Sequence, residues 1–224
     1  MRIDTVFDNT RQTGVQPISF EMFPPKGELT LEKAHEVGEA FSQLEPDFIS
    51  VTYSAGGSAN NAATTHIASM IQREFGTTTM AHLTCISLHT DELRTKIDEM
   101  KAAGIQNVLA LRGDVPAGVP TGPGCADYRY AMDIIPELVD AGFCVGAAAY
   151  PEGHIECDDL DLSLAHLKLK QDTGASFFVT QLFFDNELFY RFQERAQKAG
   201  ITVPITVGIM PFMSKQQISR MVFM

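Results

Sequence analysis

One residue in this chain that could do proton chemistry is a carboxylate near the end of an apolar strand. Glu21 lies in ISFEMFPPKGE (18–28), where Pro24-Pro25 stop the strand and stiffen the following loop. Period-two alternation puts Ser19, Glu21 and Phe23 on one face and Ile18, Phe20 and Met22 on the other. If the Glu21 face lines an enclosed mouth, burial beside Phe23 favours the neutral acid, which is the form a general acid needs near neutral pH. A solvated loop carboxylate is the open alternative. Next, LALRGDVPAGVPTGPG (109–124) ends a buried strand in Arg112-Gly113-Asp114 and opens into a loop of Gly and Pro. Such a loop lets backbone amides approach a ligand closely, Arg112 offers a charged fork to a phosphate or carboxylate, and Asp114 can accept hydrogen bonds from a heterocycle. An ordinary surface turn with an ion pair has the same composition.

A third cluster spans AAAYPEGHIECDDLDLSLAHLKLKQDTGA (147–175), where strand, loop and helix supply Tyr150, His154, His166 and Lys170. On the helix, Leu160, Leu164 and Leu167 mark the buried stripe, and Ser163, His166 and Lys170 follow at i, i+3 and i+7 as a polar face beside it. A cation there, with His154 and Arg112 across the mouth, makes a local basic pocket; read more simply, Lys168 and Lys170 offset the helix dipole. Gln181 stands near a strand end among Phe177, Phe178, Phe183 and Phe184, where an amide can satisfy both edges of a flat heterocycle. A Phe cluster of this kind is equally plain core. Gln217 closes a Ser214-x-x-Gln217 pattern that also reads as a helix capping box.

These residues need a scaffold, and the chain alternates strand and helix patterns throughout. Strands are expected at 17–23, 47–53, 78–86, 107–113, 143–150, 176–184 and 203–209. Helices are expected at about 30–43, 60–75, 90–103, 127–141, 158–173, 186–199 and from 214 to the end. Thr90 reads as an N-cap, and Gly104, Gly142, Gly174 and Gly200 follow their helices as C′ residues. Strict alternation implies parallel strands with right-handed crossovers. Polar residues recur at many strand ends (Glu21, Thr52, His82, Asp114, Tyr150, His154, Gln181) and no G-x-G-x-x-G follows the first strand, which favours a (β/α)8 TIM-type barrel over a doubly wound sheet. Only seven βα units are present, within one domain spanning 1–224, so a chain truncated before its eighth unit is expected. Residues 1–16 are too polar and too rich in turn formers to replace the missing strand.

Composition bounds the function. Of 224 residues, 45% are hydrophobic and 20% charged, as in ordinary globular domains. Seventeen Lys and Arg against 28 Asp and Glu give a net charge of −11, which argues against nucleic acid and anionic membrane as partners. Cys85, Cys125, Cys144 and Cys157 are widely spaced, which argues against a zinc site or a disulfide framework and fits reduced thiols in a cytoplasm. No signal peptide and no apolar run of membrane-spanning length is visible.

Taken together, ISFEMFPPKGE, VTYSAGGS, HLTC, LALRGD, AAAYPEGH and TQLFFD, in this order and register, resemble the methylenetetrahydrofolate reductase family. That resemblance implies a (β/α)8 barrel holding FAD at its C-terminal mouth. It also implies reduction of 5,10-methylenetetrahydrofolate to 5-methyltetrahydrofolate by NADH or NADPH in two hydride transfers through the flavin. It implies that Glu21 is the general acid for opening the folate's five-membered ring and that Asp114 binds the pterin and tunes the flavin. Thr52, Gln181 and Gln217 would contact nicotinamide or folate. Tyr53, Ala55, His82, Arg112, Gly113, Asp114, Tyr130, Ala131, Tyr150, His154, His166 and Lys170 would contact FAD, with no metal. Ser163 and His166 stand where the bacterial pattern has Asp and Asn, and an Arg from the family's eighth unit is absent. A cytoplasmic homo-oligomer is the further expectation. Two other readings stay open: a form that binds FAD or partner subunits without full catalysis, and a different barrel enzyme such as an aldolase or lyase.

Overall fold

The computed structural model describes residues 1–24, 31–53, 61–114, 125–154, 156–157, 159–212 and 214–222. An N-terminal helix α1 (Ile3–Thr13) precedes β1 (Ser19–Met22), α2 (Leu31–Ser42), β2 (Phe48–Val51), α3 (Asn61–Phe75), β3 (Thr79–Thr84), α4 (Thr90–Ala102) and β4 (Asn107–Leu111). The chain continues through α5 (Ala131–Asp140), β5 (Cys144–Ala149), α6 (Leu160–Asp172), β6 (Phe177–Thr180), α7 (Asn186–Lys198), β7 (Ile205–Thr206) and α8 (Lys215–Val222). The seven strands lie side by side in chain order, every pair parallel, and the sheet curls strongly into an open (β/α)7 form of the TIM-type barrel. Each expected strand and helix is present, with bounds trimmed by a few residues.

Alternation along the strands separates two cores. Ile49, Val51, Ala81, Leu83, Val108, Ala110, Val145, Ala147, Ala149 and Phe178 face outward and pack with the helices. Phe48, Met80, Leu109, Cys144 and Phe177 face inward and meet Ile3 and Phe7. Most of these inward residues open their strands, so α1 plugs the N-terminal end of the barrel. Asn107, fully buried, fastens that plug: its Oδ1 accepts from Ile3 N at 2.8 Å, and its Nδ2 donates to the carbonyls of Met1 at 3.0 Å and Thr79 at 2.9 Å. The sequence reading assigns no helix to 1–16. The Ile3, Val6, Phe7 spacing holds only three buried residues, too short a stripe to stand out among polar neighbours.

Three local expectations need correction. The N-cap of α4 is His89 and Thr90 is the first helical residue; Thr90 N and Oγ1 donate to Asp127 at 2.8 and 2.9 Å. Leu160 is 40% exposed, so the buried stripe of α6 rests on Leu164 and Leu167. Phe23 is 61% exposed and does not bury Glu21. Gly104, Gly142, Gly174 and Gly200 do end their helices with positive φ. Among the described residues no helix is long and apolar enough to cross a membrane.

Candidate active site

Parallel strands bring all their C-terminal ends to one rim, and the side chains there fall into two groups. The first is on the inner face of β1 to β3. Register places Glu21 beside Ser50, and His82 on the next strand reaches both. The Ser50 hydroxyl and His82 Nε2 share a hydrogen bond of 2.6 Å, and Glu21 Oε2 lies 3.6 Å from the same nitrogen. That separation is too long for a hydrogen bond. His82 is 7% exposed, and burial pushes its pKa down to about 4, so the imidazole is neutral at physiological pH and the contact is no ion pair. Glu21 keeps 47% of its side-chain surface open to the mouth, yet burial against the sheet still raises its pKa. A carboxylate that gains no donor from its nearest ring, in partly dry surroundings, favours the protonated form.

The second group surrounds a cavity of 220 Å³ over the ends of β4 and β5, walled by α5 and α6. Its apolar floor includes Ala110, Leu111, Leu167 and Phe192, and its polar wall includes Arg112, Tyr150, His154, Ser163, His166 and Lys170, with Tyr130 and Ala131 on the α5 side. Lys170 Nζ donates to the Ala148 carbonyl at 2.8 Å and lies 5.6 Å from the Tyr150 ring centre. Burial lowers its pKa to about 8. The His154 ring meets Tyr150 edge-on at 4.8 Å, and its Nδ1 accepts the Glu156 N–H at 3.1 Å, so its proton in the neutral state sits on Nε2. Burial first, and then the Arg112 charge, lower the His154 pKa. Burial raises that of Tyr150. Arg112 is gripped by Glu156: Nη1 donates to Oε2, and Nη2 to Oε1 at 3.0 Å.

The structure thus gathers Arg112, Tyr130, Ala131, Tyr150, His154, His166 and Lys170 around one cavity and sets Glu21 and His82 together elsewhere on the rim. Gly113 has φ +84, and a Cβ there would stand 2.8 Å from Thr84 Cβ, so the chain beyond β4 runs against β3 only because the residue is glycine. Asp114 is exposed next to it. Thr52 is 6% exposed; its backbone is paired, but among the described residues its Oγ1 has no hydrogen-bond partner. Tyr53 packs on the outer core, and burial raises its pKa even though the Thr84 hydroxyl lowers it in part. Gln181 is exposed, and its Oε1 accepts from Leu182 N at 3.0 Å. The rings near it in sequence are held elsewhere: Phe177 in the inner core, Phe178 in the outer core, and Phe183 stacked on Phe189 at 4.9 Å. Gln217 N donates to Ser214 Oγ at 3.2 Å, which is the backbone half of the capping pattern. Ala55 lies outside the described residues. Sequence reasoning missed Ser50 and Glu156; alternation in DFISVTY puts Ser50 on the same face as Thr52, whereas nothing local marks Glu156.

With this geometry in view, the methylenetetrahydrofolate reductase family model matches residues 6–224. The chain belongs to that family. It is 38% identical over 204 residues to the 5,10-methylenetetrahydrofolate reductase of Escherichia coli, covering 91% of this chain and 67% of that protein. It is 37% identical over 197 residues to methylenetetrahydrofolate reductase 1 of Schizosaccharomyces pombe, covering 86% of this chain but only 32% of the yeast protein. A solved structure from Clostridium thermocellum, described as binding two copies of 5-methyl-5,6,7,8-tetrahydrofolic acid, superimposes with TM-score 0.63 at 16% identity, covering 96% of this chain and 74% of that one. A 2,3-dimethylmalate lyase of the PEP mutase/isocitrate lyase superfamily superimposes with TM-score 0.58 at 12% identity, covering all of this chain and 85% of that one. At such identities the methylenetetrahydrofolate reductase family shares its barrel architecture with lyases, so fold alone does not choose the reaction.

Proposed function

We propose that this chain is a flavin-dependent reductase that converts 5,10-methylenetetrahydrofolate to 5-methyltetrahydrofolate with NADH or NADPH. The observation that carries this reading is that a carboxyl group biased toward its acid form and a cation-walled cavity share the C-terminal rim of a barrel belonging to this family. The cavity chemistry suits FAD. In a chain of net charge −11, Arg112, His154, His166 and Lys170 converge on one apolar-floored space, and a carboxylate already fills the Arg112 fork as an anion would. When bound, FAD would supply storage of a hydride between the nicotinamide and the folate.

The remaining chemistry falls to this chain's residues. Glu21, in its acid form, would give its proton to the leaving ring nitrogen of the folate and open the five-membered ring to an iminium. Neutral His82, anchored by Ser50, leaves that proton on Glu21 because its own nitrogen is a weaker base in the buried setting. Arg112 and Lys170 would bind phosphate, Tyr130, Ala131, Tyr150, His154 and His166 would frame the rest of the cofactor, and Asp114, beside Gly113 on the rim, would accept from the pterin. The buried Thr52 hydroxyl, without a partner among the described residues, would give a hydrogen bond to nicotinamide or folate, and Gln181 and Gln217 would turn toward folate on binding. Tyr53, His82 and Gly113 would shape the flavin end. An assembly of identical chains is part of the same proposal.

The test is anaerobic. Purified protein loaded with FAD should bleach with NADH or NADPH and regain its colour with methylenetetrahydrofolate; a loaded protein that does neither rejects the reading. Retained flavin with neither half-reaction would favour a form that only binds the cofactor.

A further inference from the structure

Glu156 stands in the cavity as its odd member. Among the described residues that line the space it is the only carboxylate, set against Arg112, His154, His166 and Lys170, with Tyr130 and Tyr150 also in the lining. Both prongs of the Arg112 guanidinium are engaged by it. That planar fork fits a carboxylate and a phosphate equally well and holds one of them at a time on a given edge. The two partners differ in attachment. Arg112 is 22% exposed and held in the wall at the end of β4, whereas Glu156 is 58% exposed and reaches in from the segment after β5. Its backbone is fixed separately, by the N–H donated to His154 Nδ1, so the side chain can turn out to water with the backbone in place.

We propose that Glu156 is a tethered competitor for the cofactor's phosphate, holding the Arg112 fork in the empty cavity and leaving it when phosphate arrives. The proposal rests on the reading of the cavity as an FAD site. Its effect is a tax on affinity: the incoming phosphate gains Arg112 only after one ion pair has been broken. In return, the guanidinium is kept extended and correctly aimed between turnovers of the cofactor, in a chain whose overall charge offers it many wrong partners.

The expected size follows from exposure. A pair with one partner more than half exposed is worth only about 0.2–1 kcal/mol, so removing the competitor should tighten binding by up to about fivefold. The experiment titrates FAD-free protein with FAD, followed by quenching of flavin fluorescence at low ionic strength, for wild type, E156Q and E156A, with far-UV circular dichroism to check folding. Both variants should bind FAD about 1.4- to fivefold more tightly, and the gain should shrink as salt screens the pair. In an R112Q background, E156Q should give no gain. Unchanged or weaker binding by both variants, with wild type binding FAD normally, overturns the competitor and leaves the flavin site standing. Failure of wild type and both variants to bind FAD overturns the cofactor reading and the competitor together.

Discussion

Replacing Lys170 by Met separates what the cavity needs for its ligand from what the fold needs for stability. Lys170 titrates at about 8 in the folded chain because burial penalises its charge, against an ordinary value of 10.5. Below pH 8 both folded and unfolded chains carry the proton, and the penalty is complete. Between about 8 and 10.5 the unfolded chain binds more protons than the folded one, so stability rises with pH; above 10.5 both forms are neutral and the penalty is gone. At about 1.4 kcal/mol per pH unit of displacement, the wild type gains up to about 2.5 kcal/mol between pH 7 and pH 10 from this one group. The hydrogen bond to the Ala148 carbonyl favours the charged amine and trims that figure, as does the partial exposure of the side chain, so about 1–2.5 kcal/mol is expected. The assay is equilibrium urea unfolding of wild type and K170M at both pH values. The other titrating groups are common to the two proteins, and His154, which feels the Lys170 charge, is held below its ordinary 6.5 and so titrates beneath this pH range. The wild type should gain on the variant as pH rises, while K170M loses FAD affinity at pH 7. A stability difference independent of pH, or one that moves the other way, would refute the assignment of Lys170 as a cation held under strain of burial.

Three further outcomes follow from the structure. In E21Q, flavin reduction by NADH should be nearly unchanged while reoxidation by methylenetetrahydrofolate falls by about 10²–10⁴-fold. In wild type only the folate half-reaction should slow as pH rises through the elevated Glu21 pKa, and equal loss in both half-reactions would reject the acid role. G146A should destabilise by about 1–3 kcal/mol in thermal or urea unfolding, because a Cβ there meets Phe177 Cζ at 2.5 Å in the inner core, and F177L in that background should restore part of the loss. A gain in stability from G146A would show that the inner core has room the structure does not give it. FAD binding near pH 8 should take up protons, since a phosphate beside Lys170 raises the pKa that burial had lowered; calorimetry in buffers of different ionisation heat reads this directly, and zero uptake would contradict it.

The sequence makes the scaffold legible because one period governs each element. Seven short apolar runs and seven longer helical stretches leave little freedom once strand and helix alternate, and glycines after the helices mark the boundaries. The plug helix escapes because its burial depends on the floor of a barrel that no local window contains: Ile3 and Phe7 are core only once Phe48, Leu109 and Phe177 converge beneath them. The site is legible in the same uneven way. Arg112, Tyr150, His154 and Lys170 are spread over nearly sixty positions, and crossover topology is what brings the ends of β4, β5 and α6 to one cavity. Phe23 fails as the neighbour of Glu21 because alternation fixes a face and says nothing about depth past the last paired residue. Its true neighbour, His82, sits two strands away, a distance only register can measure.

Burial acts with opposite sign on the two kinds of group at this rim, and that opposition is what would let an acidic chain perform both proposed tasks. Withdrawing water from Glu21 shifts its carboxyl toward the protonated form; withdrawing it from His82 keeps a proton off the ring that would otherwise take it more readily. Were His82 charged, it would pull Glu21 toward its carboxylate and the acid would be lost, so the dryness of β3 protects the proton on β1. At the cavity the same withdrawal leaves His154 and Lys170 readier to lose charge while no anion is near, and Arg112, which cannot lose its own, is the one cation that holds a carboxylate within that lining. Positive charge at this rim is therefore greatest when an anion arrives to hold it. That is how 17 basic residues against 28 acidic ones would suffice for the proposed anionic cofactor.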